Sequence, residues 1–271
     1  MDEQQITVDG QRIAFAQSEG TERPVIFVHG NSSSSRTWGP VLAGPFGQRF
    51  RCLALDLPGH GESAKAKDPA DYSLPGYATA LIGFAQATDA MDAVVVGWSL
   101  GGHIALEAAP GMPAVPGFVV FGTPPVGSAE QLAEAFLPNP AMNVGFTAAV
   151  SADEARVYAA SFTAPGSALP LDDFVADILR TDGEARAGLL ASVGTGRFTD
   201  EIAIVADLQR PLAILQGEDE QLVSLDYLNK LTIPTLWREE VQLIPAAGHA
   251  LHQEAPEAFA ALLEQFIADL S

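Results

Sequence analysis

Short apolar runs without polar alternation recur along the chain. They occupy residues 25–28, 53–55, 94–96, 118–121, 212–215 and 241–244. Unalternated runs of this length, ended by Gly, Asp or Pro, are typical of strands buried on both faces of a parallel sheet. Two further apolar segments, 6–8 and 13–16, flank Asp9 and Gly10, a dipeptide that favours a β-hairpin. The pattern therefore predicts a mostly parallel sheet with an antiparallel hairpin at one edge.

Helical periodicity separates several of these strands. Segments 77–87, 103–109 and 256–270 show apolar residues at helical spacing, and the last begins with a proline, which suits a first helical turn. A strand followed by a helix, repeated along the chain, predicts a doubly wound α/β fold.

One long stretch breaks this alternation. Between residues 126 and 205 we find no convincing strand, only helical segments at 129–136, 153–161, 172–180 and 184–193, separated by Pro and Gly. We interpret 126–205 as a helical cap inserted into a core domain formed by residues 1–125 and 206–271.

Composition narrows the possible partners. The 271 residues carry a formal net charge of −20, which opposes binding to nucleic acid and to anionic membranes. No apolar run is long enough for a membrane span, and the first residues lack the pattern of a secretory signal. Cys52, the single cysteine, excludes an intrachain disulfide. We expect a monomeric cytoplasmic enzyme acting on a small molecule.

The sequence G-W-S-L-G at residues 97–101 matches the nucleophile-elbow motif G-x-S-x-G. The motif needs a strand before it and a helix after it, and both are predicted here. The glycines on either side leave room for a strained turn that exposes the serine. We therefore interpret Ser99 as a catalytic nucleophile.

A serine nucleophile requires two backbone N–H groups aimed at the developing oxyanion. Leu100, directly after the serine, is one candidate. The loop after the first parallel strand, which begins His29-Gly30-Asn31, supplies the other, and Asn31 is the favoured residue. The Asn31 side chain is also a candidate for holding substrate.

The general base is expected after the last strand, which selects His249 and leaves His252 as a weaker second candidate. We expect His103, on the helix behind Ser99, to point away from the site. The acid is expected after the penultimate strand, where three carboxylates follow one another. The usual placing in this fold favours Glu220, with Asp219 as the alternative.

Other motifs point to structure or to absent chemistry. Residues 56–63 contain Asp, His and Ser, but their turn-forming composition favours a structural turn. The sequence has no paired-histidine metal motif and no G-x-G-x-x-G after the first strand, so we predict neither a metal nor another cofactor.

Residues 29–31, 56–61, 97–103 and 248–249 together resemble the α/β-hydrolase superfamily. Residues 30–34, 97–103, 122–126, 180–183 and 217–220 together further resemble the metal-independent N-acyl-homoserine lactonases of this fold, the AidH type. This resemblance implies a Ser-His-Glu triad and an acyl-enzyme intermediate in lactone ring opening, which destroys a quorum-sensing signal. It also implies that Asn31 and Tyr158 of the cap hold substrate.

Three alternatives stay open at this stage. The same triad serves carboxylesterases and carbon–carbon bond hydrolases, whose specificity lies in the cap. A ligand receptor built on the fold is a third possibility, since fold alone does not establish catalysis.

Overall fold

The computed structural model describes residues 2–270; Met1 and Ser271, which end the predicted core domain, lie outside it. Eight strands form one sheet in the order β1-β2-β4-β3-β5-β6-β7-β8. The strands are β1 (Asp2–Val8), β2 (Gln11–Gln17), β3 (Glu22–Val28), β4 (Phe50–Leu55), β5 (Val94–Trp98), β6 (Phe118–Phe121), β7 (Leu212–Gly217) and β8 (Gln242–Ile244).

The strand directions confirm the predicted fold class. β1 and β2 form the antiparallel hairpin, and β2 pairs antiparallel with β4. All other pairs are parallel, with Val25 opposite Val94 and Val95 opposite Phe118 in the centre of the sheet. Every residue of β5 and β7 is buried, which explains their unalternated apolar sequence.

Helices cover the sheet and fill the long insertion. In chain order they are α1 (Gly39–Ala43), α2 (Pro45–Arg49), α3 (Leu74–Ala87), α4 (Leu100–Ala108), α5 (Leu132–Ala135), α6 (Ala152–Ala160), α7 (Asp172–Arg180), α8 (Gly183–Gly194), α9 (Glu201–Asp207), α10 (Leu225–Leu228), α11 (Leu251–Glu254) and α12 (Pro256–Asp269). The helices α1 and α2 both begin with Pro or Gly, residues that are typical of loops. For this reason the sequence analysis predicted no helix at either place. Within residues 2–270, no helix combines the length and apolar character needed to cross a bilayer.

Between β6 and β7 the described chain is helical, with α5–α9 and two 3₁₀ segments, Ala129–Gln131 and Pro140–Phe146. An isolated β-bridge joins Phe136 to Val223, just after β7. The limits of the cap at residues 126 and 205 stay a prediction, and α9 continues two residues past the second limit.

The loop after β4 is held by the carboxylate of Asp56, which is 3% exposed. One oxygen accepts the Ser35 amide at 2.6 Å, and the other accepts the Glu62 amide at 2.8 Å. The Ser63 hydroxyl donates to the Asp56 carbonyl oxygen. Asp56 therefore joins its own turn to the loop that follows β3.

We expect Asp56→Asn to lower the free energy of unfolding by about 1–3 kcal/mol, because an amide nitrogen would face a buried N–H donor. Urea denaturation measures this loss. Asp92→Asn, at an exposed carboxylate, is the matched control and should stay within about 0.5 kcal/mol of the parent protein. Equal effects of the two substitutions would contradict the assigned role.

Two buried histidines lie beside this turn. The His29 Nε2 accepts the Leu57 amide at 3.0 Å, and the His60 Nδ1 bonds the Pro58 carbonyl oxygen. Burial lowers the pKa of His29 to about 4 and the pKa of His60 to about 3, the latter helped by repulsion from His29. Both rings are neutral in the folded protein near pH 7.

Because the unfolded chain binds protons at these histidines below about pH 6.5, stability should fall as the pH drops from 6.5 towards 4. We expect His60→Asn, which keeps a donor to Pro58, to reduce this slope by about 1 kcal/mol per pH unit. Urea denaturation at pH 7, 6 and 5 provides the slopes. Parallel slopes for the parent and the variant would refute the assignment.

Candidate active site

Ser99 lies in a strained turn between β5 and α4, with φ 53° and ψ −119°. Non-glycine residues rarely adopt this conformation, so the surrounding structure must impose it. The Ser99 amide donates to the Phe121 carbonyl oxygen at 2.8 Å, and the Thr123 hydroxyl donates to the Ser99 carbonyl oxygen at 2.8 Å. Hydrogen bonds from the neighbouring strand thus fix the turn on both sides of the serine.

The glycines of the motif are required by close backbone approach. A Cβ at position 97 would overlap the carbonyl oxygen of Gly101, and a Cβ at position 101 would overlap that of Val28. These contacts allow α4 to begin directly over the ends of β3 and β5. The predicted steric reason for G-x-S-x-G is present in the structure.

His249 and Glu220 form a buried pair after β8 and β7. The His249 Nδ1 and the Glu220 Oε2 are 2.9 Å apart, and the two side chains are 2% and 3% exposed. The other carboxylate oxygen of Glu220 accepts the Leu222 amide at 2.8 Å. Asp219 is exposed instead. The structure therefore brings Glu220, of the two candidate acids, to His249.

The second candidate base, His252, is fully buried in the core and has no place in the cavity described below. Its Nε2 bonds the Thr37 hydroxyl at 2.6 Å, and its ring packs against Trp38 and Trp98. Burial, followed by repulsion from His249, lowers the pKa of His252 well below its ordinary value. A neutral structural histidine fits these surroundings.

The two expected oxyanion donors follow β5 and β3, which are neighbouring strands of the sheet. Leu100 is the first residue of α4, and the first amides of a helix have no carbonyl partner within the helix. Asn31 follows β3, and its side-chain nitrogen donates to the Gly145 carbonyl oxygen of the cap at 2.6 Å. The loop containing Asn31 is also held from the cap by Asp177, which accepts the Ser34 hydroxyl at 2.7 Å.

Tyr158 lies on α6 of the cap and is 7% exposed. Its ring packs edge-on against Phe162 with centroids 4.6 Å apart. Burial raises the pKa of Tyr158, so its hydroxyl stays protonated and can donate a hydrogen bond. A Cβ at Gly145 would approach both this hydroxyl and the Asn31 nitrogen, which places the three groups together.

A cavity of about 540 Å³ joins these residues. Ser99, Leu100, His249, Asn31 and Tyr158 all line it. The rest of the wall is mostly apolar and includes Leu132, Phe136, Met142, Phe146, Val193 and Phe198. An apolar slot beside a few converging polar groups is the usual form of a site for a small organic substrate.

The sequence analysis did not place two polar residues of the wall, His103 and Glu201, in the site. The ring of His103, expected to point away, lines the cavity, and its Nδ1 lies 2.8 Å from the carboxylate of Glu201. No sequence signal joins them, because they are 98 positions apart and an acidic residue at a helix start is ordinary. Within residues 2–270, no group of three or more His, Cys, Asp or Glu side chains is arranged to hold a metal ion.

Comparisons with known proteins identify the family to which the chain belongs. A sequence profile described as the alpha/beta hydrolase family matches residues 25–262. Crystal structures of the N-acyl homoserine lactonase AidH superpose with a TM-score of 0.95. One is a mutant complexed with N-hexanoyl homoserine lactone, at 37% identity over 100% of this chain and 99% of that one. The other is complexed with N-butanoyl homoserine, at 38% identity over 100% and 98%.

Curated relatives are more distant or match only in part. The 2-(acetamidomethylene)succinate hydrolase of Mesorhizobium japonicum is 27% identical over 96% of this chain and 94% of its own length. An uncharacterized protein of Mycobacterium tuberculosis is 39% identical over 38% of this chain, but the match spans only 29% of that protein.

We expect Glu220→Gln to lower kcat for p-nitrophenyl butanoate by about 10³–10⁴-fold, because an amide at this position no longer holds or charge-stabilises the imidazole. Gln keeps an oxygen for the Leu222 amide, so folding should persist. The matched control, Asp219→Asn, should retain nearly full activity. A larger loss in Asp219→Asn than in Glu220→Gln would reverse the assignment.

Proposed function

This chain belongs to the alpha/beta hydrolase family, and we propose that it opens the lactone ring of N-acyl-homoserine lactones. It is an ester-hydrolysing enzyme, and a lactone is a cyclic ester. The observation that carries the lactonase proposal is the agreement with AidH over the whole chain, cap included, at a TM-score of 0.95.

In the proposed acylation step, the His249 Nε2 removes the proton from the Ser99 hydroxyl as its oxygen attacks the lactone carbonyl carbon. The backbone N–H groups of Leu100 and Asn31 donate hydrogen bonds to the resulting oxyanion. Glu220 orients the imidazole and stabilises its positive charge. Collapse breaks the ring carbon–oxygen bond, and the departing oxygen takes the proton from His249. The product is an ester of Ser99 with a free homoserine hydroxyl.

In the proposed deacylation step, a water molecule loses a proton to His249 and attacks the Ser99 ester. The second tetrahedral intermediate expels the Ser99 oxygen, which recovers the proton from His249. The carboxylic acid that forms ionises near pH 7 and prevents easy reclosure of the ring. Each turnover thus releases one proton, which provides a direct assay.

The lining of the cavity supports an uncharged substrate with an apolar tail. Among the described residues that line it, none is Lys or Arg, and Glu201 adds a buried carboxylate. A dicarboxylate, as named for the Mesorhizobium relative, would lack a cationic partner there. Asn31 and Tyr158 lie together in the same lining and offer polar contacts that suit the lactone and its amide.

An acyclic carboxylesterase is the second candidate. The observation that favours it is the same apolar wall, which accommodates a simple acyl group without using Asn31 or Tyr158. Relative rates on a lactone and on an acyclic ester separate the two functions.

We expect purified protein, treated with EDTA, to open N-butanoyl- and N-decanoyl-homoserine lactone at a kcat/KM of at least about 10⁴ M⁻¹s⁻¹. Proton release at constant pH measures the rate. Ser99→Ala should abolish opening, since it removes the nucleophile but leaves the cavity intact. p-Nitrophenyl butanoate serves as the acyclic comparison.

Brisk hydrolysis of the acyclic ester without lactone opening would overturn the lactonase proposal and leave the esterase. A stoichiometric burst without turnover would favour a ligand receptor. Loss of activity only after EDTA treatment would contradict metal-independent chemistry.

A further inference from the structure

His103 and Glu201 form a second histidine–carboxylate pair in the cavity wall, apart from the pair beside Ser99. The His103 Nδ1 lies 2.8 and 3.0 Å from the two carboxylate oxygens. Glu201 is fully buried, whereas the His103 side chain keeps 14% exposure. Both residues line the cavity.

One function of this pair is structural. Glu201 begins α9 at the end of the cap, and its Oε2 accepts the Val126 amide at 3.0 Å. The Glu201 amide in turn donates to the Val126 carbonyl oxygen at 3.0 Å. These bonds join the two chain segments that enter and leave the cap, and His103 ties both to α4.

The structural function does not use the whole imidazole. The His103 Nδ1 bonds the Glu201 carboxylate, whereas the His103 Nε2 has no hydrogen-bond partner among residues 2–270. Because His103 lines the cavity and its side chain keeps 14% exposure, a ligand in the cavity can reach this ring nitrogen. Of the polar side chains lining the cavity, His103 and Glu201 are the two without a part in the proposed reaction.

We propose that the His103 Nε2 is a specificity subsite for an oxygen substituent on the third carbon of the acyl chain. The inference rests on the lactonase function proposed above. His103 follows Ser99 by about one helical turn, so the Cα atoms of the two residues are about 6 Å apart. The third acyl carbon lies five bonds from the lactone carbonyl carbon, which spans about 6 Å when extended. A chain that runs along α4 from Ser99 therefore brings its third acyl carbon alongside position 103, whose side chain lines the same cavity.

The chemistry of the ring defines the substituent. With Nδ1–H directed at Glu201, a neutral His103 presents Nε2 as an acceptor, which suits a hydroxyl group. A protonated His103 presents Nε2–H as a donor, which suits either a hydroxyl or a ketone. Both substituents place an oxygen on the third acyl carbon. A hydroxyl can form a hydrogen bond with the His103 Nε2 in either protonation state of the ring.

The decisive experiment compares kcat/KM for N-(3-hydroxyhexanoyl)-, N-(3-oxohexanoyl)- and N-hexanoyl-homoserine lactone. We expect His103→Asn to lower the ratio of hydroxylated to plain substrate about fivefold, because Asn keeps a donor near the Nδ1 position but has no atom at Nε2. A parallel fall for the oxo substrate identifies Nε2 as a donor; an unchanged oxo ratio identifies it as an acceptor. An unchanged ratio for both substituted substrates overturns the proposal.

His103→Gln is the matched control. Its amide reaches the Nε2 position but not the Nδ1 position, so the substrate ratio should be retained while the melting temperature falls. A purely structural His103 would behave differently: Gln would then impair all three substrates equally, and Asn would impair none selectively.

Binding to the Ser99→Ala protein separates this proposal from the lactonase function. Titration calorimetry should show the hydroxylated lactone binding about fivefold more tightly than the plain lactone. If the parent protein opens no lactone but this preference is measured, the lactonase function fails and the subsite stands. If lactones are opened but neither binding nor rate discriminates, the subsite fails alone.

Discussion

The positive-φ turn at Ser99 is the constraint on which the other parts of the site depend. It exists because β5 has a neighbour on each side and because α4 starts in direct contact with the strand ends. The same turn exposes the serine hydroxyl and leaves the Leu100 amide free of a helical partner. The loops after β3, β7 and β8 reach this point because parallel strands present their carboxyl ends at one edge of the sheet.

Both histidine–carboxylate pairs contain a carboxylate that is almost completely buried. Each carboxylate accepts a backbone amide as well as an imidazole nitrogen: Glu220 from Leu222, and Glu201 from Val126. These hydrogen bonds satisfy carboxylate oxygens that would otherwise be buried without a partner. The two pairs differ in position. His249 and Glu220 lie after β8 and β7, whereas His103 and Glu201 lie where the cap joins the core.

Hydrogen bonds connect the cap to the loop after β3. Asn31 bonds the Gly145 carbonyl oxygen, and Ser34 bonds Asp177 of α7. Through Gly145 and Asp177 the cap therefore holds the loop expected to bind the oxyanion.

The sequence by itself determined the sheet, because buried parallel strands must be continuously apolar. It also determined the strained turn at Ser99, because that turn needs glycines at fixed spacing. It also marked α7 at residues 172–180, where apolar residues recur at helical spacing. It left Glu220 and Asp219 open, since adjacent acids look alike until one is buried against His249. Only the tertiary structure joined His103 to Glu201 and Asn31 to Gly145. Contacts between residues about a hundred positions apart follow from packing of the cap on the core, which no local pattern encodes.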